Sequence, residues 1–293
     1  MKLSPFALGT LLTGIGVLIL SPDAALIRYV DLDAWALLAW RGPALSHVML
    51  LGLIILFGWR FVGQLRGALI GVGPLIAILF AISTNGFILG AERGDPAFTV
   101  VAVAATPLFA ALFSKLIYGE NIDRPTLIAI FLGIFGVGLG AFEVLGSQRG
   151  EMIGFIGASL IPVAMGLGFT LTRYMRADQH VWGVYVLAGL ITGAAGLVMS
   201  GAPVLPDEHF GVFLCLIFVV GAGSFLLISI GPRYISAAQT SLMLLLETAL
   251  SPVWVYFIVQ EAPGPLTLIG GILLILTLIG QTLAQLRVKG GRN

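Results

Sequence analysis

"TSLMLLLETALSPVWVYFIV", residues 240–259, has the length and apolar character of a membrane-crossing helix, yet Glu247 stands near its middle. About 20 apolar residues suffice to cross a bilayer as a helix. An acid at the centre of such a helix costs about 2.5–3.5 kcal/mol on insertion scales, so a lipid-facing Glu247 would be hard to sustain. Thr240, Glu247, Ser251 and Trp254 follow one another at spacings of seven, four and three, which puts them on one helical face. That face is expected to line a polar cavity. The plainer alternative is a protonated structural acid bonded to a neighbouring helix.

The rest of the chain has the same character. Of its 293 residues 58% are hydrophobic and only 10% charged, with mean hydropathy +1.06. Soluble domains carry about 25% charged residues, so this chain cannot cover a water-facing surface. Ten apolar stretches can be marked, at 6–28, 34–58, 68–91, 96–118, 125–145, 151–173, 181–200, 209–231, 236–259 and 265–286. Helices are expected throughout, because lipid offers no partner to an unpaired backbone amide. The first stretch lacks a clear small-residue cleavage site and runs at once into a second, so it reads as a retained helix.

Lys and Arg set the expected orientation. With the N-terminus inside, eleven of the fifteen fall on the inner side and three, Arg28, Arg93 and Arg149, on the outer, while Arg41 lies within a span. This asymmetry predicts that both termini are cytoplasmic, which requires an even number of spans.

The two halves echo each other. A shift of 141 residues lays Leu75, Ile76, Ala81, Ser83 and Gly90 on Leu216, Ile217, Ala222, Ser224 and Gly231. It also lays Glu120 on Glu261 and "TLI" 126–128 on "TLI" 267–269, and near the start a shift of 145 lays "IRYV" 27–30 on "TRYM" 172–175. The expected organisation is one transport unit of two five-helix repeats, 1–146 and 147–293. Five is odd, so the second repeat enters the membrane from the opposite side. Inverted repeats of this kind let two halves rock about a central site near the midplane. Glu247 is then the repeat mate of Thr106, which precedes Pro107 at the middle of the fourth span.

"TPLFAALFSKLIYGE" (106–120) followed by "LIAIFLGIFGVGLG" (127–140) resembles the EamA-type pattern of the drug/metabolite transporter superfamily. "LLLETALSPVWVYFIVQE" (244–261) is similar to the same element in the second half, and "LLAWRG" (37–42) to the family's Arg-bearing second helix. The second-half copy has Gln-Glu where Gly-Glu is usual, and its Pro252 lies four residues past the equivalent of Pro107. The resemblance covers the whole chain. It implies ten transmembrane helices, multi-pass residence in the cytoplasmic (inner) membrane and export of amino acids or related metabolites. The aromatic amino-acid exporter branch is the nearest in general character. It also implies a pathway among the third, fourth, eighth and ninth helices, with the first and sixth beside it.

Candidate substrate-binding residues are Ser83, Thr84, Asn85, Thr106, Ser224, Thr240, Glu247, Ser251 and Trp254. Asn85 offers donors and an acceptor, which suits a zwitterion; interhelical hydrogen bonding is the alternative for the triplet 83–85. Candidate gating or structural residues are Pro22, Asp23, Arg41, Pro107, Pro162, Glu120 and Glu261. Arg41 has three candidate partners, Asp23, Glu247 and a substrate carboxylate. Pro22 and Pro162 read equally as hinges or as plain kinks. His47 is read as a packing or hydrogen-bonding residue. Phe80, Phe87, Phe109, Trp254 and Tyr256 are candidate aromatic walls. Gly133, Gly136, Gly138 and Gly140 permit close helix packing.

Other classes lack their signatures. There is no H-E-x-x-H, G-x-S-x-G or Walker motif, so neither an intramembrane enzyme nor an ATP-driven pump is expected. A net charge of +1 gives no footprint for nucleic acid. The single cysteine, Cys215, excludes an internal disulfide. No metal or cofactor is expected. The expected partners are a small-molecule substrate, membrane lipid and, as a candidate coupling ion at Glu247, the proton. A multidrug or lipid exporter would use the same scaffold.

Overall fold

The computed structural model describes residues 4–119, 124–147, 150–172, 181–202, 204–206, 208–230, 234 and 237–290. Among these residues the regular structure is entirely helical. In chain order the helices are α1 (Pro5–Leu20), α2 (Asp23–Val30), α3 (Ala34–Phe57), α4 (Phe61–Ala68), α5 (Gly73–Arg93), α6 (Pro96–Ala104) and α7 (Thr106–Tyr118). There follow α8 (Arg124–Ser147), α9 (Met152–Thr172), α10 (Val181–Ser200), α11 (Phe210–Leu214), a π-helix (Cys215–Gly223), α12 (Ser224–Ile230), α13 (Ala237–Val259) and α14 (Pro265–Gly290).

Eight helical stretches are long and apolar enough to cross a membrane, from Ala7–Val30 to Phe210–Ile230. Two shorter apolar stretches, Leu246–Val259 and Pro265–Thr277, belong to α13 and α14. Large side chains such as Ile55, Phe131, Phe142 and Val198 stand exposed on the outside, as lipid-facing residues would. The chain is an integral, multi-pass membrane protein.

Several crossings are discontinuous. Pro22 has no amide hydrogen, so the first crossing breaks after Ser21, whose N–H still reaches Val17 O at 2.9 Å. The fourth breaks at Ala105, just before the Thr106–Pro107 start of α7. The eighth contains the π-helix, an irregularity that is rare and frequently found at functional sites. Pro43, Pro162 and Pro252, by contrast, lie inside continuous helices. Residues 58–67, read from sequence as a polar connection, instead form a short 3₁₀ turn and the half-exposed α4, which packs on α10. Gly58, at φ +52°, makes the corner.

The main helix pairs close on glycine. A Cβ built on Gly86 of α5 would run into Gly157 O of α9, and one on Gly16 of α1 would meet Leu227 and Ser224 O of α12. On α8, Gly136 abuts Gly270 of α14, Gly133 abuts Leu108 and Gly140 abuts Phe98, whereas Gly138 faces open space. Small residues are what let membrane helices approach this closely.

The α8–α14 pair carries a polar clamp absent from the sequence expectations. The Glu143 carboxylate, near the end of α8, accepts from Leu266 N (3.2 Å), Thr267 N (2.8 Å) and Thr267 Oγ1 (2.8 Å). It thereby satisfies orphan amides at the start of α14 and faces the positive end of that helix. Glu143→Ala is expected to cost about 1–3 kcal/mol, because amide donors lose a charged acceptor. Unfolding by SDS titration in mixed micelles measures this, with Glu143→Gln intermediate.

Candidate functional site

Asp23 occupies the first turn of α2, directly after the Pro22 break. Arg41 lies eight residues past the Asp33 cap of α3. Their side chains form a two-pronged pair, Nη1 to Oδ1 at 2.7 Å and Nη2 to Oδ2 at 2.5 Å, and both are almost completely buried at 6% and 3% exposure. The planar guanidinium fork matches a carboxylate in this way, and both carboxylate oxygens are occupied. Arg41 also rests against the π-helix. A Cβ on Gly221 would lie 3.1 Å from Arg41 Nε, so the missing side chain there is what leaves room for the cation.

Glu247 stands on α13, whose neighbours are α1, α2, α6 and α14, within Coulombic range of Asp23, and part of its surface is accessible. Among the described residues Glu247 has no hydrogen-bond or ion-pair partner. Of its expected face-mates, Ser251 is buried, and Trp254 Nε1 donates to Ser21 Oγ at 2.9 Å. That bond fastens α13 to the break in the first crossing. The side chain of Thr240 and the whole of Glu120 lie outside the described residues.

The remaining hydroxyls are spent locally. Ser83 Oγ donates to Leu79 O (2.9 Å), Thr84 Oγ1 to Phe80 O (3.0 Å) and Thr106 Oγ1 to Val103 O (2.6 Å). Ser224 Oγ donates to Val220 O and also lies 3.2 Å from Gly221 O. Each keeps only its acceptor lone pairs for another group. Asn85 differs, since its Oδ1 is buried without a donor. Pro162 is buried inside α9 and Pro107 is exposed at the start of α7. His47 is exposed and bonded through Nδ1 to Pro43 O of its own helix at 2.6 Å. Phe80 is packed between Phe169 and Tyr185, with ring centroids 5.5 and 5.2 Å away, while Tyr256 faces outward beside Phe257.

Charged residues gather where α2, α5 and α13 end. Arg28 Nε donates to Glu261 Oε1 at 3.2 Å, and its Nη1 donates to Glu92 O. Arg93 pairs with Asp33, with Glu92 (3.2 Å) and with Glu151 (3.7 Å). Glu261 is thus half of a clasp between the first crossing and α13. At 1.5 Å per residue, Trp254 lies about 10 Å and Glu247 about 20 Å below it along α13. From that end two fastened layers lie above Glu247.

Among the described residues no group of three His, Cys, Asp or Glu could hold a metal ion. What the arrangement offers chemically is a carboxylic acid within Coulombic range of a closed ion pair, near the break in the first crossing. Nothing in it resembles a nucleophile held by a base.

Residues 42–141, about a third of the chain, match the model of the EamA-like transporter family. No curated protein matches the chain. One solved crystal structure superposes over 96% of this chain and 98% of its own, with a TM-score of 0.62 at 16% identity. At that identity the likeness is one of fold alone, and it extends through both halves.

Proposed function

We propose that the chain is a secondary transporter of the EamA type throughout its length. It exports small metabolites, amino acids and aromatic ones among them, across the cytoplasmic membrane by alternating access. In this reading the molecule crosses the membrane ten times, as two inverted repeats with both termini inside, and Glu247 lines the substrate site near the midplane.

The packing supports the repeat. Exchanging residues 1–146 with 147–293 turns the α5–α9 contact into that between α1 and the eighth crossing. It turns the contacts of α6 and α7 with α9 into those of α13 with α1 and α2, and leaves the α3–α10 and α8–α14 pairs as they are. All of these contacts occur. Single residues follow the same rule. With the shift of 145 that holds near the start, Ile161 is the mate of Gly16, and with the shift of 141, Leu227 is the mate of Gly86. Ile161 packs on Gly86, and Leu227 packs on Gly16. Discontinuous helices meeting between two such halves are the usual construction of a carrier site.

One observation carries the functional reading: Glu247, a mid-helix carboxylate within Coulombic range of Asp23, has no hydrogen-bond or ion-pair partner among the described residues, while Asp23 is fully paired. An intramembrane acid kept accessible in this way serves a pathway by default. The test is flux of labelled amino acids in both directions across sealed proteoliposomes. Saturable movement of unmodified compound is expected, and Glu247→Gln is expected to lower it by about tenfold or more. Chemically altered product without vectorial movement would instead indicate an enzyme. Undiminished flux in the variant would remove Glu247 from the pathway.

A further inference from the structure

A carrier for a zwitterion can grip either end of it, and the charges in this bundle favour one. Three ionisable side chains lie within Coulombic reach of one another: Asp23 and Arg41 in contact, and Glu247 near Asp23. Arg41 is the natural receptor for a substrate carboxylate, but Asp23 occupies both prongs of its fork. The pair is buried and its other flank is closed by Gly221. Opening it for a ligand would leave Asp23 uncompensated away from water, a cost of several kcal/mol. What remains is Glu247, an acid with no counter-ion among the described residues, whose charged form a bound cation would favour. The elements packed on α13 are α1, α2, α6 and α14. Among their described residues the cation nearest in sequence to the site is Arg28, and the clasp already engages it. Among the described residues two buried polar atoms of the nearby helices lack a hydrogen-bond partner: the Thr13 hydroxyl on α1, which can donate or accept, and Asn85 Oδ1, which can only accept. Asn85 Oδ1 lies on α5, which shares α2 and α6 as neighbours with α13.

We infer that the substrate is recognised through a protonated amine held by Glu247, and that its carboxylate is dispensable. This deepens the transporter reading and rests on it for the location of the site. A primary ammonium supplies the missing positive charge together with three N–H donors. A charge-assisted N–H···O⁻ bond is about twice as strong as a neutral one. Buried polar groups built to meet such donors discriminate strongly against ligands that lack them. Aromatic amines without a carboxylate should therefore bind, and amino acids whose nitrogen is acylated should not.

The experiment is ligand-dependent thermal stabilisation of the full chain in detergent, with three probes: phenylalanine, 2-phenylethylamine and N-acetylphenylalanine. The first two are expected to raise the melting temperature with concentration and the third to leave it unchanged. Glu247→Gln should weaken amine binding by about 30-fold or more, as for a buried charged contact that loses one partner. Glu247→Asp keeps the charge and should keep measurable binding, which separates loss of recognition from loss of folding. The inference is overturned if N-acetylphenylalanine binds as well as the amine, if Glu247→Gln binds the amine like the parent chain, or if neither amine binds. Proteoliposome flux keeps the two ideas apart. Flux of N-acetylphenylalanine that survives Glu247→Gln would sink the amine site and leave the transporter. Amine binding without flux of any probe would do the reverse.

Discussion

Arg41→Met is expected to destabilise the protein by about 3–5 kcal/mol, the usual cost of removing one member of a buried ion pair. The pair itself is no great source of stability, since taking both charges out of water offsets most of their attraction. The loss arises because Asp23, 3% exposed, keeps its charge with neither of its two donors. A second substitution checks the cause. Asp23→Asn added to Arg41→Met removes the stranded charge and should recover most of the loss, so the two changes are strongly non-additive. SDS-induced unfolding of the four proteins in mixed micelles measures the coupling. If Arg41→Met alone were neutral, the pair would be solvated or absent. The outcome also bears on transport. Arg41 holds the α2 start against the π-helix through Gly221, so the single variant should lose flux more than the double.

How much of this could be read beforehand depends on the kind of information each feature needs. The Pro22 break has a local chemical cause, the missing amide hydrogen, but proline alone does not decide it, since Pro43, Pro162 and Pro252 lie inside continuous helices. The break at Ala105 is local in the same sense, one residue ahead of Thr106–Pro107. The π-helix at 215–223 was not legible: its sequence, "CLIFVVGAG", has no proline, and an extra residue per turn is fixed by what packs around it. The Asp23–Arg41 pair stood among several candidates, because spacing along the chain does not say which of two acids a guanidinium will meet. The ordering of Ser83 and Thr84 shows the opposite limit. Both have the composition of a binding surface, yet a hydroxyl in a helix can always turn back on the carbonyl four residues earlier, and both do. The Glu143 clamp is not legible locally because its partners lie more than 120 residues away. Its one local signal is an acid in a glycine-rich apolar helix, as at Glu247 an acid stands in an apolar one.

Gly42→Val should be more damaging still than the loss of Glu143, at about 3 kcal/mol or more, since it forces side chain into backbone where neither can yield. Gly42 lies where α3 crosses α10. A Cβ there would sit 2.5 Å from Gly189 O and closer yet to Gly193 N. The contact is glycine on both sides, with Gly196 set against Ala39 and Gly193 against Pro43. Separating the helices would also stretch the Ser46 Oγ to Val186 O bond, now 2.8 Å. Gly138→Val on α8 is the control: it meets nothing within 4 Å, so it should change stability by less than about 1 kcal/mol. Melting in detergent compares the two, and equal effects would mean that α3 and α10 are not this close. The consequence for function follows from position. Arg41 is the preceding residue of α3, so any splaying of α3 from α10 moves the guanidinium relative to Asp23. Under the proposed two-repeat organisation, α3–α10 is one of the two contacts that exchange of the halves leaves in place, which would make it a pivot. The milder Gly42→Ala should therefore lower flux even in protein that remains folded, whereas Gly138→Ala should not.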